Sequence, residues 1–445
     1  MRQGNTDLSC NDMEAVDRQL AAAKEMEAYI DSKSGGPGKG WYRIVYTPDE
    51  ARAVIMAGKL AVVLGIEVDY LFNCHREGDL TEDLLRAQLD KYYAAGVRHL
   101  FPIHFDNNGF GATAFQNGLQ FGIDVENPVN NEPGLPLNPF PVFAAYTVAT
   151  EDAQPFGYDY RTGRRATQGL TELGKTLIRE MIARGMIIDI DHMSARAKAE
   201  VLDICEAARY PVVAGHVGFV EISRGDKAHE GQLLAAEVER IRRLGGMVGV
   251  IVRQGTKDQI KTWRGPGQTV VDHTCSNTSE TWVQAYLHAV AKMQGRPVAF
   301  GTDFNGLIPP TGPRFGPDAC LREGGISAHA NAVAYPFTAA STGERMDHSV
   351  VGEKTFDIND DGLAHIGLLP DFIADLQALG LTKKDLAPLL HSAEEYIQVW
   401  ENGSPGHTRL GVLNTAGQLS VKEGPLDAGF TFEAGGIQSF QLAGG

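Results

Sequence analysis

The chain repeats one unit: an amphipathic helix, a turn that contains glycine, and a short run of apolar residues. The clearest runs are "KLAVVLGIEVDY", "VRHLFPIHFD", "MIIDIDHM", "PVVAGHVG", "MVGVIVRQG" and "PVAFGTDFNG". Each run is continuously apolar rather than alternating, which is typical of strands whose two faces are both covered in a parallel sheet. Repeated αβ units of this kind fold either as a closed (β/α)8 barrel or as an open doubly wound sheet.

Polar residues at the ends of these runs favour the barrel. Each of five candidates follows a different predicted strand at its carboxyl end, where a barrel gathers its functional groups: Glu67, His104, His192, His216 and Asp303. An open sheet usually carries a glycine-rich phosphate turn, and no G-x-G-x-x-G motif follows any predicted strand here. We therefore predict an α/β fold of the TIM barrel type.

Counting the predicted strands leaves this barrel incomplete. Six strands are predicted, together with a weaker one at 362–369: 59–67, 97–104, 185–192, 210–216, 246–253 and 297–303. The chain opens directly on a predicted helix. We therefore expect a TIM (β/α)8 barrel that lacks its first strand, with that strand encoded upstream of Met1.

The predicted barrel occupies residues 1–407, and a Gly-rich, strand-like tail at 408–445 is expected to form a small β appendage. Two connections, at about 106–169 and 304–361, exceed the two to six residues usual in αβ units. Both leave the carboxyl ends of strands, so we expect them to cover the mouth of the barrel as substrate walls.

The net charge of −16 over 445 residues argues against nucleic acid or an anionic membrane surface as a partner, because both select basic patches. No run approaches the roughly 18 apolar residues of a transmembrane helix, and the N-terminus lacks the core of a signal peptide. The cytoplasm is the default compartment, with export an option if the N-terminus is truncated. The sequence leaves open whether the chain forms a homodimer.

Five cysteines are scattered through the chain without a C-x-x-C pair: Cys10, Cys74, Cys205, Cys275 and Cys320. Their odd number and irregular spacing predict free thiols in a reducing compartment rather than a disulfide framework.

The strand-end residues suit a metal site. Imidazole nitrogen and carboxylate oxygen are ligands that zinc accepts, and a catalytic zinc site keeps an open position for water. His192, His216 and Glu67 offer such a set, and Asp303 could take a proton from the activated water and pass it to a leaving amine.

Each of these residues has a structural alternative when it is taken singly. A strand-end histidine is usually structural, Asp189 and Asp191 could cap the helix that begins near Ser194, and Asp303 could be a turn residue. Their convergence at one end of several strands favours a functional site.

Four segments carry a resemblance to a known family. "VVLGIE", "MIIDIDHMS", "PVVAGHVG" and "VAFGTDFNG", in this order and spacing, resemble the renal or membrane dipeptidase family, peptidase family M19 of the amidohydrolase superfamily. The resemblance spans about 11–400. It implies a TIM barrel with a two-zinc centre that hydrolyses dipeptides and related amides, so a small peptide-like molecule is the implied substrate.

The resemblance also implies roles for individual residues. Glu67 would bridge the two zinc ions, His192 and His216 would be ligands of one of them, and Asp303 would be the catalytic acid/base. His104 would contact the substrate or the tetrahedral intermediate.

The carboxylate of the substrate would be bound by a basic residue after His216, with Arg224 and Lys227 as the two candidates. The family also carries a His-x-Asp pair on its first strand, which completes the second zinc site, and this sequence has no histidine before His75. We therefore interpret the chain as N-terminally truncated and divergent, and expect one zinc or fewer.

Two alternatives to a dipeptidase remain. The barrel could be catalytically silent, or could only bind a ligand, because the His-x-Asp pair is absent. It could instead hydrolyse a lactone or a cyclic amide.

Overall fold

The computed structural model describes residues 11–114, 166, 168–224, 228–304, 311–320, 325–405, 407–413 and 419–425. Lys227, most of the predicted mouth loop at 106–169, and parts of the loop at 304–361 and of the tail lie outside the described residues.

The described residues form the following α-helices, in chain order: α1 Asp12–Lys33, α2 Pro48–Met56, α3 Glu82–Ala95, α4 Glu172–Arg184, α5 Ala195–Ala208, α6 Ala235–Arg243, α7 Ser279–Lys292, α8 Ile358–Asp361, α9 Leu369–Ala378, α10 Lys383–Leu390 and α11 Ser392–Gly403. The strands are β1 Tyr42–Ile44, β2 Leu60–Val62, β3 Leu64–Ile66, β4 Val97–Leu100, β5 Ile187–Ile188, β6 Val213–Val217, β7 Met247–Ile251, β8 Ala299–Gly301, β9 Phe337–Thr338, β10 Arg345–Met346, β11 Ser349–Val351, β12 Lys354–Phe356, β13 His407–Leu413 and β14 Leu419–Pro425.

Parallel strands follow one another in chain order. β1 pairs with β2, β3 to β5 form one three-stranded sheet, and β6 to β8 form another. A parallel bridge between Asp189 and Val213 joins the two sheets, and only Val63 separates β2 from β3. These strands alternate with helices, so the predicted α/β architecture is confirmed.

Helix ends explain why the strands begin where they do. Thr81 and Thr171 cap α3 and α4 by accepting a hydrogen bond from a backbone N–H of the first turn. Gly96 and Gly185 end the same helices at positive φ values of 108° and 67°, a conformation that glycine adopts without strain. β4 follows the first glycine directly, and β5 begins two residues after the second.

The weaker predicted strand at 362–369 is wrong. This segment contains a 3-10 helix, Ile366–Leu368, and the start of α9, which has a proline in its first turn. A short apolar run does not distinguish a strand from a buried helical turn, and proline favours the helix start because its φ is already helical. β1 was not predicted, because three residues are too few to show a pattern.

The closed barrel stays a prediction. Among the described residues β1 pairs only with β2, and β8 pairs only with β7, so no described pairing joins the two ends of the run into a ring. The strand expected upstream of Met1 likewise stays a prediction.

The prediction that the cysteines are free thiols is wrong for two of them. Cys275 and Cys320 form a disulfide between residues 45 positions apart, with Cα atoms 4.9 Å from each other. Cys74 and Cys205 are buried free thiols. The pairing was not predictable, because the spacing of cysteines does not specify which of them meet in the fold.

Within the predicted tail, β13 and β14 form an antiparallel pair that runs from His407 opposite Pro425 to Leu413 opposite Leu419. The division into a barrel and an appendage stays a prediction. None of the described helices combines the length and the hydrophobicity needed to cross a lipid bilayer.

Candidate metal centre

Three side chains from three strand ends meet at one point. Nε2 of His192 lies 3.0 Å from Oε1 of Glu67, Nε2 of His216 lies 3.2 Å from the same oxygen, and the two nitrogens are 2.8 Å apart. In the described part of the chain these residues form the one group of three side chains able to share a metal ion. The sequence predicted these three residues as metal ligands, and their side chains lie together in the structure. Their role as ligands stays a prediction.

The geometry of the three atoms fits a zinc ion. Bonds of about 2.0–2.2 Å in a tetrahedral shell place ligand atoms roughly 3.3 Å apart. Oε1 of Glu67 is buried and has no well-formed hydrogen bond among the described residues. A cation between the three atoms would satisfy this oxygen and both imidazole nitrogens.

Two of the predicted site residues have strained backbone conformations. His192 has φ 63° and Asp303 has φ 47°, so both occupy the left-handed region that residues with a side chain avoid. Such a conformation costs on the order of 1 kcal/mol or more and persists where the surrounding structure enforces it, most often at functional sites. At both positions the strained backbone changes the direction of the side chain beyond the end of the strand.

Close backbone packing positions His216. The register between β6 and β7 shifts between Ala214 and Val217, so the segment with His216 forms a bulge. A Cβ atom on Gly301 of β8 would lie 2.4 Å from the Cα of His216, so only glycine permits this approach. The close approach of Gly301 therefore restricts where the backbone of His216 can lie.

Asp191 orients His216 rather than capping a helix. Its Oδ2 atom lies 3.0 Å from Nδ1 of His216 and accepts a hydrogen bond from the backbone N–H of the same residue. Because Nδ1–H donates to the carboxylate, the Nε2 lone pair faces Glu67. Ser194 is the residue that caps α5.

His104 approaches the cluster from a fourth strand end. Its Nδ1 atom lies 2.7 Å from Oδ1 of Asp69, and its Nε2 atom lies 3.8 Å from Oε1 of Glu67. The rings of His104 and His192 are 4.4 Å apart between centroids. Asp69 thus holds His104 with Nε2 facing the candidate metal centre.

The pKa values of the two candidate ligand histidines are shifted in opposite directions. Burial lowers the pKa of His192 to about 4, and the nearby His104 acts in the same direction. Burial would also lower the pKa of His216, but the adjacent Asp191 carboxylate outweighs it and raises this pKa well above the ordinary value. For Glu67, the adjacent imidazoles outweigh burial and hold the carboxyl pKa well below its usual range.

Asp303 lines the same cavity as His192 and His216. This cavity of about 80 Å³ is lined by His192, His216, Asp191, Asp303 and Arg253, among others. A second cavity of about 490 Å³, lined by residues of α2, β2, β8 and α11, also reaches Glu67, His216 and Asp303. His216 and Asp303 therefore line both cavities, whereas His192 lines the first and Glu67 the second.

Residues 145–312, which include His192, His216 and Asp303, match the family model of membrane dipeptidase, peptidase family M19. This part of the chain is similar to that family. An uncharacterised dipeptidase of Schizosaccharomyces pombe is 24% identical over 257 residues, which are 58% of this chain and 44% of that protein. The match thus spans less than half the length of this curated relative.

Two solved structures are similar to this chain. The dipeptidase AC, a metallopeptidase of family M19, has 16% identity and a TM-score of 0.49, with 88% of this chain and 79% of that chain covered. A metallopeptidase from Rhodobacter sphaeroides bound to a phosphinate mimic of the dipeptide L-Ala-D-Ala has 16% identity and a TM-score of 0.48, with 88% and 76% covered.

Arg224, one of the two predicted carboxylate anchors, is not among the described residues that line the cavity at the metal centre. Arg224 is described and its side chain is exposed, whereas Lys227 lies outside the described residues. Among the described residues, Arg253 is the arginine that lines this cavity, and it was not predicted from the sequence.

Asp69 was also not predicted as a site residue, although the sequence position of both Asp69 and Arg253 indicates a place at the site. Asp69 follows Glu67 by two residues, and Arg253 follows the end of β7 by two, so each is placed on the same side of its strand as a residue already facing the mouth.

Proposed function

We propose that this chain is a zinc-dependent hydrolase of dipeptides or related small amides. The observation that carries the proposal is the meeting of Glu67, His192 and His216 within 3.2 Å of one another, with Asp303 lining the same cavity as the two histidines. The match of residues 145–312 to the M19 family model supports the same activity.

Glu67, His192 and His216 would hold the metal. When bound, zinc lowers the pKa of a water molecule to about 7 and polarises an amide carbonyl. Asp191 keeps the Nδ1 proton of His216 in place, so that the opposite nitrogen is free to act as a ligand. One zinc per chain is expected, because a three-ligand cluster with one open position is sufficient for a catalytic site.

Asp303 would act as the acid/base. Its carboxylate takes a proton from the water that attacks the carbonyl carbon, and then gives this proton to the nitrogen of the leaving amine as the C–N bond breaks. His104, with Nδ1 bonded to Asp69, keeps Nε2 available to the substrate carbonyl. In this proposal the residues of the chain bind the metal, orient the substrate carbonyl and transfer one proton.

Zinc content and amide cleavage test the proposal together. The purified protein should contain zinc by plasma mass spectrometry and should release free amino acids from a panel of dipeptides. Chelation should abolish both the zinc and the cleavage, and added zinc should restore them. His216→Ala should lose both, whereas the control His391→Ala, which changes an exposed histidine at the α10–α11 junction, should keep both.

Each alternative has its own outcome. Tight zinc binding without cleavage of any panel member would indicate a silent or ligand-binding protein. Cleavage of lactones or cyclic amides, with linear dipeptides untouched, would move the activity to that class. Cleavage that survives complete removal of metal would reject the proposal.

A further inference from the structure

The larger of the two cavities at the metal centre, here called the long cavity, follows the direction of the strands. Its lining includes the first residues of β6, β7 and β8, which are Val213, Met247 and Ala299, and it reaches His216 near the end of β6. At about 3.3 Å per strand residue, the cavity extends roughly 10 Å from Val213 to His216. Its volume of about 490 Å³ is typical of sites that bind small molecules.

The wall of the long cavity is mainly aliphatic. Its apolar side chains come from β2, the residue after β2, β6, β7, β8 and α11: Ala61, Val63, Val213, Met247, Ala299 and Ile397. Ala61, Val63 and Ala299 pack against buried apolar residues and are themselves only partly buried. Because covering apolar surface is favourable, an aliphatic ligand suits this wall.

Two polar side chains on the wall of the long cavity, His99 and Tyr396, form a paired group. Nδ1 of His99 lies 2.8 Å from the hydroxyl oxygen of Tyr396, and Nε2 of His99 lies 3.0 Å from Oδ2 of the buried Asp189. Both ring nitrogens and the hydroxyl group therefore have partners within the protein. This part of the wall needs no polar ligand to satisfy its hydrogen bonds.

The long cavity meets the smaller cavity of about 80 Å³, here called the polar cavity, at the candidate metal centre. His216 and Asp303 line both of them. The polar cavity also has Asp191 and Arg253 in its wall. A molecule held at the metal centre therefore has a small polar space on one side and a long aliphatic space on the other.

We propose that the long cavity binds an aliphatic group on the carbonyl side of the scissile amide. The inference rests on the proposed function and names its substrate class: amino acids with a straight aliphatic N-acyl chain, or dipeptides whose N-terminal residue has a long aliphatic side chain. The oxygen of water bonds to the carbonyl carbon, the C–N bond breaks, and the departing nitrogen takes a proton from Asp303. The amine product becomes charged, which suits the polar cavity, whereas the acyl product stays against the aliphatic wall.

Two substrate series separate the two possible sources of the aliphatic group. One series is glycine with acetyl, butanoyl, hexanoyl, octanoyl and decanoyl groups on its nitrogen, and the other is Ala-Gly, Val-Gly, Leu-Gly and Met-Gly. The kcat/KM of each is measured with the zinc-loaded protein. Calorimetry with butanol, hexanol and octanol on the metal-free protein measures binding to the long cavity without any turnover.

In the parent, kcat/KM should rise by about 2-fold to 4-fold for each added methylene until the cavity is filled, the usual effect of burying such a group. The affinity for the alcohols should rise in the same way. The series in which kcat/KM rises identifies the source of the aliphatic group.

Ala299→Leu fills the end of the long cavity that is distant from the metal centre. It should lower kcat/KM for octanoylglycine by about 10-fold or more, the effect of excluding two or more methylenes, and change acetylglycine by less than about 3-fold. Ala393→Leu, at an exposed position of α11 that lines the same cavity, tests this again where a larger side chain is easily accommodated. Ala291→Leu, at an exposed position of α7, is the control and should behave as the parent.

Three results would overturn the inference and leave the proposed function standing. The first is amide cleavage with a kcat/KM that does not depend on chain length in either series. The second is a chain-length dependence that Ala299→Leu and Ala393→Leu both leave intact. The third is absence of alcohol binding, which would show that the long cavity is filled or closed in solution. Alcohol binding that Ala299→Leu blocks, in a zinc-loaded protein that cleaves no amide, would instead reject the proposed function and keep the aliphatic binding site.

Discussion

The Nε2 atoms of His192 and His216 lie 2.8 Å apart, although the two residues come from strands separated by the whole of helix α5. Two neutral imidazoles at this distance can share only one proton, and both nitrogens also face Oε1 of Glu67. An arrangement in which three potential ligand atoms converge is favourable when a cation lies between them.

The first prediction concerns these ligands. His192→Ala and Glu67→Gln should each lower the zinc content from about one ion per chain to below about one tenth, because two remaining ligands do not form a stable site. Equilibrium dialysis against zinc, followed by elemental analysis, measures the loss. Circular dichroism should show that the secondary structure is kept. A variant that retains stoichiometric zinc would place the metal elsewhere.

The second prediction separates the orienting role of Asp191 from a purely structural one. Asp191→Ala should weaken zinc binding by about 10-fold to 100-fold, the usual effect of removing the partner of a ligating histidine. Asp191→Asn keeps an oxygen that can accept the Nδ1–H of His216 and should recover most of the affinity. Competition with a chromophoric chelator gives both constants. Equal affinities in all three proteins would remove Asp191 from the site.

The third prediction is that Asp303→Asn leaves zinc content unchanged and lowers kcat by about 100-fold or more, the typical scale for loss of a general acid/base. The amide has nearly the size of the carboxylate, so the strained backbone at φ 47° needs no rearrangement. Parent and variant are compared on the best dipeptide, each at saturating zinc. Equal turnover would exclude Asp303 from proton transfer.

Much of the candidate site could be predicted from the sequence, because parallel strands place their carboxyl ends together whatever the exact length of each strand. Glu67, His192 and His216 follow three such strands, and they meet as expected.

The link between Asp191 and His216 and the disulfide were beyond prediction. The first joins residues 25 positions apart, on either side of α5. The second joins Cys275 to Cys320 across 45 positions. Both are consequences of tertiary packing, whereas the strand-end pattern is a consequence of local periodicity.

The fourth prediction concerns this disulfide. A double Cys275→Ser, Cys320→Ser variant should lower the free energy of unfolding by about 2–4 kcal/mol, because a cross-link that closes a long loop restricts the unfolded chain. A thiol-free reductant should destabilise the parent by a similar amount and leave the double variant unaffected. Five reactive thiols in the denatured, unreduced parent would show that the pair does not form.

The last prediction uses a buried carboxyl group next to the site. Burial raises the pKa of Asp106 from 3.8 to about 6, against the opposing effect of the hydrogen bond from the Tyr70 hydroxyl. The folded state therefore binds this proton more tightly than the unfolded state, so the parent loses stability as the pH rises from about 4 to about 6 and carries the full penalty above that range.

Asp106→Asn removes the charge and keeps an oxygen that accepts the hydrogen bond from Tyr70. The variant should be more stable than the parent by roughly 2–3 kcal/mol at pH 7.5, with a difference near zero at pH 4, since each unit of pKa shift corresponds to about 1.4 kcal/mol. Urea unfolding at both pH values measures the difference. Asp83→Asn, at a side chain that is 97% exposed, is the control and should show no such pH dependence. A stability difference for Asp106→Asn that is the same at pH 4 and pH 7.5 would show that charge burial at this position is not its cause.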